Sequence, residues 1–251
     1  MSKNEKRLLS LSAVLSAALC VPTAASAMHI MEGYLPPVHC IIWAAICIPF
    51  LVAGLMAIQR TLSEQRRALI LLAMSGAFIF VISSLKIPSV SGSCSHMTGT
   101  GLSAILFGPA VTSILGIIVL LFQAILLAHG GLTSLGANTF SMAIAGPLVS
   151  WSIWKLGCKI NLNKKATVFL AAFLGDLFTY CITSIQLAIA NPSAQGGIAA
   201  SAVKFLGVFA PTQLPLAIIE GILTMLILIG LETYAKPELK LIGFLREGDA
   251  R

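Results

Sequence analysis

Charged side chains are scarce in this sequence: 16 lysines and arginines and 9 acids among 251 residues, 10% in all. A soluble domain carries about 25%, so this chain has too few to coat a water-facing surface. Two chemical signatures are missing as well. No G-x-x-x-x-G-K-S/T phosphate loop occurs, so the chain is not expected to hydrolyse ATP itself, and no H-E-x-x-H pair occurs, which excludes the helix-borne zinc protease. The six cysteines include no C-x-x-C, so neither a zinc knuckle nor a disulfide framework is indicated. Cys40 and Cys47 share one helical face in an apolar run and read as small buried apolar side chains, whereas Cys94 falls in a polar loop.

What is abundant is apolar: 57% of residues are hydrophobic, and the mean hydropathy is +0.95. Apolar segments recur at about 38–58, 69–86, 100–128, 138–157, 166–190 and 213–234. Each is near the length of about 20 residues that crosses a hydrocarbon core as a helix. The fold class expected is an all-α polytopic membrane protein with six to seven transmembrane helices. Small residues such as Ala53-x-x-x-Ala57, and the Gly and Ala recurring through 136–147, would let such helices approach closely.

The formal charge of +7 would suit a nucleic-acid binder, but the placement of the basic residues argues otherwise. They cluster at Arg60, Arg66 and Arg67, at Lys155, Lys159, Lys164 and Lys165, and in a tail with Lys236, Lys240, Arg246 and Arg251. Positive residues mark cytoplasmic loops, so these clusters orient the chain, the carboxyl terminus is expected inside, and no nucleic-acid partner is expected. The loop 87–99 then lies outside and 158–165 inside, which demands an odd number of crossings between them. Segment 100–128 is too long for one upright span and is broken at Gly108-Pro109, so it is expected to form a short helix and a full one.

The first residues follow a different grammar. Lys3, Lys6 and Arg7 precede an apolar stretch over 8–21, and Ala25-Ser26-Ala27 closes it. This is the pattern of a cleavable signal peptide over 1–27, leaving a transmembrane domain over 28–251. Cleavage would place Met28 outside the cell, in agreement with the charge rule, and would make His29 the second residue of the mature chain.

That position matters chemically. A free amino terminus titrates near 7.7–8.0 and is readily available to a metal ion. The Met28 amine and the His29 backbone nitrogen close a five-membered chelate ring, and the His29 imidazole closes a six-membered one. Three nitrogens in one plane leave one place to fill, a geometry suited to Ni(II) and Cu(II) and accepted by low-spin Co(II), whereas zinc prefers a tetrahedron. The fourth donor is expected from the Ser/Gly-rich outer loop, where His96 and Cys94 are rivals. His39 and His129 have a simpler reading: each is satisfied by a neighbouring carbonyl, or lies in the outer shell of such a site.

The residues also resemble a family. Met28-His29-Ile30-Met31-Glu32-Gly33-Tyr34-Leu35-Pro36-Pro37 is similar to the mature start of CbiM, the substrate-capture component of cobalt energy-coupling-factor transporters. The likeness runs on through Leu85-Lys86-Ile87-Pro88-Ser89-Val90, Gly92-Ser93-Cys94-Ser95-His96 and Thr98-Gly99. It continues in Ala104-Ile105-Leu106-Phe107-Gly108-Pro109, His129-Gly130-Gly131-Leu132-Thr133 and Leu135-Gly136-Ala137-Asn138-Thr139-Phe140-Ser141-Met142-Ala143. It covers essentially the whole mature chain, with Met97 standing where relatives commonly have proline. The resemblance implies a substrate-capture bundle that takes Co(II) as transported substrate, for cobalamin biosynthesis, at Met28, His29 and His96. It implies no catalytic activity and no cofactor in this chain. It also implies a transmembrane coupling protein, a cytoplasmic ATPase subunit and a small accessory membrane subunit as partners, in the cell membrane. Nickel capture by the same geometry is the alternative.

Thr98, Gln123 and Asn138 are expected to face the interior. There they either orient the metal-binding terminus or make ordinary interhelical hydrogen bonds worth about 1 kcal/mol or less. Asp176 and Glu220 are the scarce acids of the spans. With no partner visible in the sequence, they read as packing or proton-neutralised positions.

Overall fold

A computed structural model describes residues 29–88 and 94–245. The signal segment, Met28, the Ser/Gly stretch 89–93, Arg246 and Arg251 lie outside the described residues, as does the Cys94 side chain. Nine helices are described: α1 (Pro37–Glu64), α2 (Ala68–Ser84), α3 (Thr100–Phe107), α4 (Pro109–Leu127), α5 (Leu135–Asn138), α6 (Gly146–Lys159), α7 (Lys164–Ala190), α8 (Gly197–Tyr234) and α9 (Lys236–Leu241). A π-helical stretch, Thr139–Ala145, joins α5 to α6 without a break, and a two-residue antiparallel ladder pairs Ile87 with Ser95 and Pro88 with Cys94. Helices α1, α4, α7 and α8 are long and apolar enough to cross a membrane, and α2 is a shorter apolar helix. With the α5–α6 run and the short α3, this is the all-α bundle of six to seven membrane helices that composition predicts.

The break between α3 and α4 has a local cause. Gly108 stands at φ +86°, a conformation that L side chains rarely adopt. Pro109 follows at the first helical position, where the missing N–H is not needed. Helix α3 is therefore only 8 residues long, about 12 Å. Upstream of it the chain runs as irregular backbone through the interior: Ser95, His96, Met97 and Thr98 are all buried. Such backbone is tolerated at membrane depth only where protein surrounds it. Helix α3 ends in a cavity of about 950 Å³ lined by Trp151, Lys155, Lys164 and Phe244, the end of the bundle that carries basic clusters, and α4 returns to the opposite end.

Helix α8 begins at Gly197, well before the apolar segment at 213–234. Its early turns pack inward through Phe205, Leu206 and Phe209 against Tyr180 of α7, whose hydroxyl donates to the Leu206 carbonyl. At 38 residues it is about 57 Å long, longer than a hydrocarbon core of about 30 Å. Helix α1 contributes least to the interior, and Ala53 points outward rather than into a helix contact. The close approach of α1 to α4 is made one residue later. A Cβ on Gly54 would strike the Ala110 carbonyl and the Ile114 side chain. Cys40 and Cys47 are buried, their thiols directed at the carbonyls of Leu35 and Gly136, while Cys158 is exposed.

Candidate metal centre

The segment that follows the start of the mature chain is held by one amide. Asn138 Oδ1 accepts from the Ile30 N–H at 2.8 Å, and Asn138 Nδ2 donates to the Ile30 carbonyl at 3.0 Å. This two-point pairing imitates one rung of a strand ladder, and Ser134 Oγ donates to the same carbonyl. Asn138 ends α5 just where the helix widens into its π-helical stretch. Glu32 caps the arrangement from outside: it accepts from the Thr133 N–H at 3.2 Å, a bond that lowers its carboxyl pKa.

His29 is thereby buried, and His96 meets it from the inward-running loop. His96 Nδ1 lies 2.8 Å from the Met97 carbonyl, which can only accept, so Nδ1 carries the proton and the lone pair is on Nε2. That Nε2 is 2.5 Å from His29 Nδ1. Neighbouring donors on a metal with bonds of about 2.0 Å stand about 2.8 Å apart, so an opening of a few tenths of an ångström would admit an ion between them.

A third imidazole completes the cluster. The backbone at Ala128 takes the left-handed conformation at the end of α4, with φ 46° and ψ 42°. His129 is folded back and its N–H donates to the Gln123 carbonyl at 3.1 Å. Its ring centroid lies 4.4 Å from that of His29 and 4.9 Å from that of His96. One ligand atom from each of the three histidines falls within 4.8 Å of the others. Of the two simple readings of His129, a place beside the site remains, and satisfaction by a carbonyl needs correcting, because its buried Nε2 has no hydrogen-bond partner among the described residues. His39 Nδ1 has none either, but His39 stands apart from the cluster on the first turn of α1.

Burial makes these rings neutral. It holds the His29 pKa well below the usual histidine range, with His96 and His129 adding to the effect. Burial lowers His96 to about 4 against the opposing bond to Met97. His129 is lowered to about 2 by burial and by His96. Neutral imidazole is the form that binds metal, and a set of imidazoles suits borderline ions such as Co(II), Ni(II), Cu(II) and Zn(II) rather than Ca²⁺ or Mg²⁺.

The other polar candidates separate by what they touch. Asn138 bonds the amino-terminal segment. Gln123 is fully buried beside His29, and its Nε2 donates to Ser83 Oγ at 2.7 Å. Thr98 bonds neither histidine, and donates instead to Glu220. The two acids, for which the sequence shows no partner, find them in the fold: Glu220 accepts from the loop at Thr98 and Gly99, and Asp176 Oδ2 accepts from Gln213 at 2.6 Å. A sequence shows none of this, because every partner lies 37 or more residues away.

Comparison with known proteins gives the family. A crystal structure of a truncated transition metal transporter superposes with a TM-score of 0.71 at 27% identity, over 82% of this chain and 99% of that one. The cobalt transport protein CbiM of Lachnoclostridium phytofermentans is 66% identical over 99% of both chains. That of Chlorobium limicola is 57% identical over 89% of both. The sequence also matches the CbiM family, described as the cobalt uptake substrate-specific transmembrane region, over residues 29–239. The chain therefore belongs to the CbiM family and is a membrane component for cobalt uptake.

Proposed function

We propose that the mature chain captures Co(II) outside the cell on four nitrogens: the Met28 amine, the backbone nitrogen and Nδ1 of His29, and Nε2 of His96. The observation that carries this reading is the 2.5 Å approach of His29 Nδ1 to His96 Nε2, one residue from Met28. Asn138 supports it by fixing Ile30, and His129 supports it by walling the site with a third neutral imidazole. The same layout supports a membrane orientation with the mature amino terminus outside and the carboxyl terminus in the cytoplasm: the histidines stand at one end of the bundle, while Lys155 and Lys164 line a cavity at the other.

The chain itself has no phosphate loop, so uptake draws on an energy-coupling-factor assembly. Its parts are a transmembrane coupling protein, a cytoplasmic ATPase subunit and a small accessory membrane subunit, and the cobalt delivered serves cobalamin biosynthesis. ATP-driven rearrangement releases the ion inward only if the rearranged state binds it more weakly, because a ligand shifts an equilibrium only by its differential affinity. The test is an equilibrium titration of the detergent-solubilised chain beginning at Met28, with Co(II) and with Ni(II) as competitor. One tight site per chain is expected. Several weak sites would indicate a conduction path instead. Nitrogen donors favour Ni(II) over Co(II) in binding alone, so the cargo is read from uptake of the two ions by cells carrying the chain. Uptake of Ni(II) in place of Co(II) would make the cargo nickel.

A further inference from the structure

Two acids lie inside the bundle, and neither is a donor in the proposed site. Glu220 on α8 and Asp176 on α7 are each 1% exposed. A buried carboxylate is costly unless hydrogen bonds or a countercharge compensate it. Glu220 lies beside Asp176, and three of its hydrogen bonds go to one place. Its Oε2 accepts from the Thr98 N–H at 2.6 Å, and its Oε1 accepts from Thr98 Oγ1 at 2.8 Å and from the Gly99 N–H at 3.0 Å. These residues come two and three positions after His96.

The other attachments of the loop lead to the same helix. Gln213, two turns before Glu220 on the same face of α8, donates to the His96 carbonyl at 3.3 Å and to Asp176 Oδ2 at 2.6 Å. Ser95 Oγ lies 2.8 Å from Thr212 Oγ1, also on α8. Ser95, His96, Thr98 and Gly99 are therefore each tied to α8, and the tie with the most bonds ends on the Glu220 carboxyl group. The alternative anchor, the antiparallel ladder of Ile87 and Pro88 with Ser95 and Cys94, is two residues long. At its far end α8 carries Glu232, which is ion-paired with Lys164 at the start of α7. One continuous helix thus connects the loop bearing His96 with the end of the bundle that carries basic clusters.

We propose that Glu220 is a positioning residue for the captured ion: through Thr98 and Gly99 it sets where His96 Nε2 stands, so that displacement of α8 moves this donor away from the ion. The proposal rests on the reading of His96 as a metal donor. It gives inward release a mechanical element, since a push on the far end of α8 acts on the loop that carries one ligand of the site.

The experiment uses the chain beginning at Met28, loaded with one Co(II). Its readouts are the visible ligand-field absorption and the rate of cobalt loss to a chelator. Glu220→Gln keeps the volume of the side chain but turns one of the two oxygens that receive the three donors into a donor itself. Thr98→Val removes the hydroxyl donor and keeps the shape. Both variants are expected to hold one cobalt with a shifted absorption band and to lose it about 10- to 100-fold faster, the usual scale for residues that orient metal ligands. A lowered melting temperature with band and release rate unchanged in folded variants would overturn the proposal, because a purely structural role moves only the first. If Glu220→Gln is not recovered folded, Thr98→Val decides by the same readouts. His96→Ala separates the two readings. If it leaves band and rate unchanged, the metal-site assignment itself fails, whereas if it changes both while the other two variants change neither, only the role of Glu220 fails.

Discussion

A chain retaining one extra residue before Met28 is expected to bind Co(II) about 10²- to 10³-fold more weakly than the chain that begins at Met28. The magnitude follows from the share of each donor. Four-ligand protein sites bind their metal with about 10–16 kcal/mol, or about 2.5–4 kcal/mol per donor, and each 1.4 kcal/mol is tenfold. An added residue converts the Met28 amine into an amide nitrogen and moves the free amine out of the five-membered ring. The histidine remains, as do Asn138 and the pairing that holds Ile30. The loss is therefore specific to the terminus rather than to folding, and a matched melting curve for the two chains checks that. Isothermal titration of both chains measures the effect, and equal affinities would remove the terminal amine from the site.

His96→Ala is expected to weaken binding by a similar factor and to change the absorption spectrum of the bound ion. Here the reasoning starts from the loop. His96 is wholly buried, its Nδ1 proton is committed to the Met97 carbonyl, and its Nε2 faces His29 Nδ1. Truncation removes a donor from a site that His129 can refill, because His129 Nε2 is nearby and has no hydrogen-bond partner among the described residues. A residual site in which His129 replaces His96 would retain cobalt with an altered spectrum, and the double variant His96→Ala, His129→Ala would then lose it. An unaltered spectrum in the single variant would place the fourth donor elsewhere.

Much of the architecture is legible in the residues because apolar length maps directly onto spans, and because Gly108-Pro109 announces its own break. The basic clusters mark one end of the bundle for an equally simple reason: lysine and arginine are costly to bury. Other features depend on the assembled fold. The π-helical stretch at Thr139–Ala145 runs into Gly146-Pro147, and Met142 within it packs against Ile79, Val119 and Leu120, contacts that only the fold supplies. His129 turns inward because Ala128, not glycine, takes the left-handed conformation. Composition gives no warning of that, although the Gly130-Gly131 pair after the span was a usable hint. Glu220 finds its partners in the N–H groups of a loop about 120 positions away, and side-chain patterns do not report backbone donors. His29 and His96 stand out from the sequence as candidates, but only the fold brings two rings 67 positions apart to one point.

The central claim is that Co(II) is held by nitrogens of the new amino terminus and of His96. X-ray absorption at the cobalt edge, on the chain beginning at Met28 with one Co(II) bound, tests it most directly. The expected first shell contains nitrogen donors only, with the outer scattering of imidazole rings, and part of that outer scattering disappears in His96→Ala. A first shell containing sulfur, from Cys94 or Met28, or one built of oxygen alone, would contradict the account.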